Sequence, residues 1–246
     1  LGDLVLGSGE PDRVLHVLAA LARQGRAMAV GELMAQTGLA RSTLYRQLAR
    51  LRQWGFVLEH GGLYAPGPMS LQLAAGFDLA SHLMQAARPL MQELAAQSQE
   101  SVGLLVAVNG HAVCLDMVES SHSLRCSFDR GRSVPLRAGA SALCLLAHLP
   151  AAQREALLNE QDIDSAARAA LDQRLEAIAK AGCAVSEGEV DAGVWGCSVP
   201  LFSAPRRMAG VITLMAPTSR ARGHEDALIR KTAVAAARIA QSLGRP

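Results

Sequence analysis

The stretch from residue 30 to residue 66 constrains the fold of this 246-residue chain more than any other. Val30 to Thr37 read as a short helix carrying Leu33 and Met34, Gly38 stands where a helix cap is needed, and Leu39 and Ala40 turn into another helix that starts near Arg41. Directly after it, Phe56, Val57 and Leu58 precede the pair Gly61-Gly62, with Leu63 and Tyr64 beyond, which is the pattern of a tight hairpin. A preceding helix is expected from about Pro11 to Gln24, where Val14, Leu15, Leu18, Leu21 and Ala22 recur at helical spacing before Gly25. Helix, helix, turn, helix and hairpin in this order predict a winged helix-turn-helix over residues 10–67, with residues 1–9 as a flexible tail.

The helix of residues 41–54 has two chemically distinct faces. Leu44, Leu48 and Leu51 share one core-facing stripe, whereas Ser42, Thr43, Arg46 and Arg50 lie opposite and Tyr45 sits at the edge. Hydroxyls and first-turn amides suit phosphate, and guanidinium groups can bond bidentately to guanine in the major groove. An idealised wheel turns Arg41, at the start of the helix, toward the core side. The formal net charge of +2 is too mild to announce a nucleic-acid partner, but its distribution is uneven. Residues 1–66 hold seven arginines and five acidic residues, and positions 33–58 hold Arg41, Arg46, Arg50 and Arg52 with no Asp or Glu. The front segment is therefore expected to bind double-stranded DNA, with His60 near the tip of the wing.

After Pro66 and Pro68 the pattern is helical over residues 69–98, with a break expected before Pro89, and residues 68–85 suit a connecting helix. From Ser101 the pattern turns to β. SVGLLVAV and HAVCLDMVE flank Asn109-Gly110, a strong hairpin signal, and SLRCSFD reads as a third extended stretch. The Ala-rich end of SVPLRAGASALCLLAHLP is helical, helices follow near 151–158 and 165–181, and strands return at GCAVSE, VWGCSVPLF and MAGVITLMA before a helix from about His224 to Leu243. The fold class expected is α+β, with an antiparallel sheet flanked by helices over residues 86–246.

Other classes find little support. The five cysteines are an odd set without a C-x-x-C pair, and no secretory signal or membrane-spanning apolar run is evident, so a reduced, cytoplasmic protein with no membrane partner is expected. The seven histidines lack paired ligand spacing, and GDLVLGSGEP lacks the Lys and the flanking strand and helix of a phosphate loop. No metal, cofactor or catalytic residue is expected.

The segments GLARSTLYRQLARLRQWGFV, DMVES, RGRSVPLRAGASALCLLAHLP, GCAVSEGEVDAGVWGCSVPLF and GVITLMAP, in this order, resemble the IclR family of bacterial regulators. That resemblance spans nearly the whole chain from about Asp12. It implies a winged helix-turn-helix, a helical linker and a GAF-like domain that binds a small-molecule effector, in a homodimer or dimer of dimers on a pseudopalindromic operator. It carries DNA contacts onto Arg41, Ser42, Thr43, Tyr45 and Arg46, to which the helix face adds Arg50 and the wing adds His60. It carries effector contacts onto Phe128, Gly139, Ala140, Ser141, Trp195, Gly196, Cys197, Thr213 and Met215.

Here the sequence departs from its relatives in one direction. Gly139 stands where Thr is common, Ala142 and Leu143 where Gly-Lys is common, Trp195 and Gly196 where Arg-Cys is common, and Thr213 and Met215 where two serines are common. Polar anchors for a small carboxylate are thus mostly replaced, which points to a larger or less polar, aromatic effector. The alternative implied by a GAF-like fold is a thiol enzyme or redox sensor using Cys126, Cys183 or Cys197, of which only Cys126, beside Arg125, has an evident cationic neighbour.

Overall fold

The computed structural model describes residues 10–159, 163–205 and 207–244, so the expected tail of residues 1–9 lies outside the described residues. The chain divides into two units, residues 1–81 and 82–246. In the first, α1 (Glu10–Gln24), α2 (Val30–Thr37) and α3 (Arg41–Gln53) enclose a core to which Val17, Leu21, Leu33, Leu44, Leu48 and Leu51 contribute. Strands β2 (Val57–His60) and β3 (Leu63–Pro66) form the expected hairpin, and Val57 and Tyr64 close the core from that side. Gly61 and Gly62 both have positive φ, at 58° and 76°, as a two-residue hairpin turn requires.

Two features of this unit escaped the sequence pattern. A two-residue strand β1 (Met28–Ala29) pairs with β3 and makes a three-stranded sheet, because Met28 is drawn wholly into the core. Gln47 is buried on the apolar stripe of α3, and among the described residues neither polar atom of its side chain has a partner. Helix α4 (Pro68–Ala80) completes the unit, and its residues 71–78 are all exposed, including Leu71, Leu73 and Phe77.

The second unit is a six-stranded antiparallel sheet in the order β6-β5-β4-β9-β8-β7. Its strands are β4 (Ser101–Val108), β5 (His111–Val118), β6 (Ser133–Pro135), β7 (Ala184–Glu187), β8 (Val194–Ala204) and β9 (Arg207–Pro217). Helices α5 (His82–Ser98) and α10 (Glu225–Leu243) pack on one face through Met91, Leu94, Ala236 and Ile239. On the other face lie α6 (Ala140–His148) and α8 (Ser165–Ala181), with the shorter α7 (Ala151–Asn159) between them in sequence. A one-turn helix α9 (Thr218–Ala221) leads from β9 toward α10. Two ion pairs bind helix to sheet: Arg88 on α5 places Nη1 2.7 Å from both carboxylate oxygens of buried Asp116 on β5, and Arg220 on α9 meets buried Glu100, at the head of β4, at 2.6 and 2.7 Å.

Two expectations for this region are corrected. Pro89 does not break the helix; it lies inside α5, and the break falls at Ser81, whose backbone is extended. A proline removes one helical hydrogen bond, but the face formed by Met84, Ala87, Met91 and Leu94 is held on the sheet across that point. The stretch SLRCSFD is not a strand. The edge of β5 that it would need is taken by residues 131–135, through β6 and through hydrogen bonds of the Cys114 backbone to Arg132 and Gly131.

Gly67 shows how tightly the wing closes on α3. A Cβ built there would lie 2.3 Å from the carbonyl oxygen of Gly55, and the Gly67 N–H donates to Phe56 O at 2.7 Å. Gly67→Ala is therefore expected to destabilise the first unit by about 1–3 kcal/mol, since overpacking against backbone cannot be relieved by a rotamer change. Denaturant unfolding of the full chain, followed by far-ultraviolet circular dichroism, measures the loss.

Candidate nucleic-acid interface and ligand cavity

On α3 the structure separates the two faces as the periodicity predicts. Leu44, Leu48 and Leu51 are buried, Arg41, Ser42, Tyr45, Arg46 and Arg50 are exposed, and Thr43 is half-buried. Arg41 departs from the wheel and is exposed, because first-turn residues are not yet committed to the packed face. The N-cap is Ala40, which offers no side-chain hydrogen bond to the first-turn amides. His60, exposed, is the last residue of β2 before the wing turn.

Helix α3 and the wing are pinned to each other. Arg52 on α3 forms an ion pair with Glu59 on β2, and Glu59 stands opposite Tyr64 in the hairpin register. Burial first, and then the Glu59 charge, raises the pKa of the Tyr64 phenol, so that side chain stays neutral. Of the four arginines in the acid-free stretch, Arg52 thus serves the wing. Sequence reasoning placed it in a general basic patch and missed the pairing, whose only signal is that Glu59 is the first acid after the helix.

In the second unit, strands β8 and β9 decide which side chains can meet a ligand. Successive residues of a strand point to opposite faces. Ile212, Leu214 and Ala216 join Trp195, Cys197 and Leu201 in the core under α5 and α10, whereas Gly196, Thr213 and Met215 face α6. A cavity of about 50 Å³ lies on that second face, lined by Leu105, Phe128, Val134, Gly139, Ala140, Ser141, Gly196, Thr213 and Met215 and rimmed by Ser186, Glu189, Val190 and Asp191. Seven of the nine residues expected from the sequence are brought together here. Trp195 and Cys197 are not: strand alternation turns both into the opposite core, where they are 3% and 0% exposed.

The polar groups of the cavity are few, and Ser141, Ser186, Thr213 and Glu189 are already engaged. Ser141 on α6 lies 3.1 Å from the Thr213 hydroxyl, which lies 2.7 Å from the hydroxyl of buried Ser198. Ser198 was not expected at the site, although it shares the strand face of Gly196. Phe128 forms part of the wall, and the Arg132 guanidinium stacks 4.3 Å from its ring centroid. At the start of α6, the Gly139 N–H donates to a carboxylate oxygen of Glu189 at 2.9 Å, and the Ala140 N–H donates to Ser186 Oγ at 2.8 Å. The other oxygen of Glu189 meets Arg174 on α8 at 2.5 Å. Burial alone would raise the Glu189 carboxyl, but the hydrogen bonds from Arg174 and Gly139 outweigh it and hold its pKa below the usual carboxylate range.

Four of the five thiols are held protonated by burial. Burial, with the Asp116 charge behind it, pushes Cys114 up to about 11, and burial pushes Cys197 up to about 12. Cys144 is shifted upward by burial as well, and so is half-buried Cys126. Arg125, the cation adjacent to Cys126, is bonded to Glu119 at 2.6 Å. Among the described residues no cluster of His, Cys, Asp and Glu could hold a metal ion, and no helix is long and apolar enough to cross a membrane. Since only about one Cys114 in a thousand is thiolate at pH 8 when its pKa is about 11, alkylation of native protein at that pH is expected to leave Cys114, Cys144 and Cys197 unmodified. Mass spectrometry against a urea-unfolded control reads this; rapid modification of any of the three would contradict the burial.

Comparison with known proteins agrees with this architecture. The model of the IclR helix-turn-helix domain matches residues 11–61, and that of the bacterial transcriptional regulator IclR C-terminal domain matches residues 79–241. The HTH-type transcriptional regulator KipR of Bacillus subtilis is 26% identical over 227 residues, which cover 88% of this chain and 90% of KipR. The transcriptional repressor IclR of Escherichia coli is 27% identical over 218 residues, 85% of this chain and 80% of that one. Among solved structures, an IclR transcriptional regulator from Silicibacter sp. TM1040 superposes with a TM-score of 0.83 at 23% identity, covering 97% of both chains. A homologue from Microbacterium hydrocarbonoxydans, solved in complex with 4-hydroxybenzoate, does so with a TM-score of 0.72 at 21% identity over 96% of this chain and 99% of that one. With both of its domains matched, and the larger match alone spanning more than half of its length, the chain belongs to the IclR family of DNA-binding transcriptional regulators.

Proposed function

We propose that this regulator grips operator DNA through the exposed face of α3 and the wing, and that a small, weakly polar, aromatic effector in the cavity beside α6 controls that grip. The observation that carries the DNA half is the joint exposure of Arg41, Ser42, Tyr45, Arg46 and Arg50 on one helix, with Thr43 beside them and His60 at the wing. Arg46, in the middle of the face, has the reach for a guanine edge, whereas Arg50, one turn on, suits phosphate. The effector half is supported by the apolar lining and, for an aromatic ring but not for a carboxylate, by the fold shared with the chain that holds 4-hydroxybenzoate. At about 50 Å³ the cavity is smaller than the ~150 Å³ that accommodates benzene, so ring binding entails outward movement of the rim at Val190.

The protein acts in this reading as a homodimer or dimer of dimers in the cytoplasm, and as a binding protein, not an enzyme. Self-association is supported by α4, where Leu71, Leu73 and Phe77 are 75%, 57% and 47% exposed on a helix that packs little against its own unit. Trp195 and Cys197 are dropped from the effector contacts, and Ser198 is added as the buried support of Thr213.

Gel shifts with DNA flanking the gene, against scrambled DNA of equal length, test the DNA contacts. Arg46→Ala is expected to cost about 1–3 kcal/mol at the specific site and little on scrambled DNA. Arg50→Ala is expected to weaken both alike. If neither substitution changes affinity, the face assigned to DNA is wrong.

A further inference from the structure

The start of α6 presents two backbone N–H groups toward the cavity, and the chain fills both from its own side chains: Glu189 takes the Gly139 N–H and Ser186 takes the Ala140 N–H. Gly139 has φ +87°, and a Cβ at that position would lie 2.6 Å from Cγ2 of Val190. The residue next to Glu189 therefore occupies the space that a side chain at position 139 would take. The segment carrying both residues is tied down by Arg174, which holds the second oxygen of Glu189 from α8. The cavity lining includes two carboxylates, Glu189 and Asp191, and no Lys or Arg. A ligand carboxylate entering here would compete with Glu189 for the same N–H and would meet like charge from inside the cavity, while the cation paired with Glu189, Arg174, lies outside the lining.

From this arrangement we propose that Glu189 is a built-in substitute for a ligand carboxylate, so that the cavity selects neutral or cationic apolar molecules and excludes organic anions. The inference rests on the reading of this cavity as the effector site and adds the charge class of the effector. It assigns Glu189 and Val190, on the segment between β7 and β8, a specificity role: Val190 fills the apolar volume and Glu189 fills the hydrogen-bonding position. It also gives a reason for Gly139, since any larger residue there would displace Val190 and with it the adjoining carboxylate.

Calorimetry on the full chain with benzoate and with benzyl alcohol, which share a ring and differ in charge, tests the proposal in wild type and Glu189→Ala. Glu189 lies in an exposed segment outside the packed core, and thermal melting of the variant checks that the fold is kept. Removing the resident carboxylate is expected to raise benzoate affinity by about tenfold or more, the worth of one charge-assisted hydrogen bond, and to raise it well beyond any change for benzyl alcohol. Glu189→Gln keeps an oxygen that can accept from Gly139 while removing the charge, and is expected to fall between the two. An equal gain for both probes, or no gain for benzoate, overturns the proposal. Gel shifts with the same proteins judge the underlying reading separately: benzoate that binds Glu189→Ala more tightly yet leaves its DNA affinity unchanged would speak against control of DNA binding from this cavity, with carboxylate exclusion still supported.

Discussion

The two-residue period of β8 and β9 is the constraint on which the second unit depends. These are the longest strands, each of eleven residues, and they pair at the centre of one half of the sheet. From Trp195 to Leu201 and from Val211 to Ala216, alternate side chains go to the core under α5 and α10 and the intervening ones go toward α6; bulges near Phe202 and Met208 end the alternation. Apolar surface removed from water stabilises by roughly 25 cal/mol per Å², so the face holding Trp195, Leu201, Ile212 and Leu214 fixes the register, and a slip of one residue would put all four on the wrong side. The cavity is what remains on the opposite face, where Gly196 and the hydroxyls of Ser198 and Thr213 replace large side chains. Core and cavity are thus two outcomes of a single alternation.

The same logic explains what could and could not be seen in the sequence. The helix-turn-helix was legible because its signals are local: period 3.6 in α3, a glycine between α2 and α3, and a Gly-Gly turn in the wing. The β4–β5 hairpin was legible for the same reason, through Asn109-Gly110. SLRCSFD misled because its apolar spacing is compatible with a strand, while strand formation depends on a free edge, and residues 131–135 just downstream take that edge of β5. Pro89 misled in the other direction, since burial against the sheet outweighs one missing hydrogen bond.

At the cavity, seven of the residues implied by the family resemblance lie together, whereas Trp195 and Cys197 were carried over without respect for strand parity. Counting outward from Gly196 would have selected Ser198 in their place. The roles of Glu189 and Val190 had no local signal, because their partners Gly139 and Arg174 lie far away in sequence and in different elements. Sequence and geometry meet at one point: where polar side chains are replaced around Gly139, Glu189 supplies a carboxylate to its N–H.

The ion pair between Arg52 and Glu59 bears on how this regulator responds to salt. A protein that neutralises phosphates releases condensed counterions, and the slope of log affinity against log salt counts the cations that do so. Arg52 stands among the basic residues of the DNA-reading unit, but its charge is already balanced by a carboxylate on the wing. It therefore adds little to counterion release, and the ionic-strength dependence of binding reports fewer charges than the acid-free stretch of sequence contains. What Arg52 supplies is mechanical: its ion pair sets the spacing of helix and wing in advance.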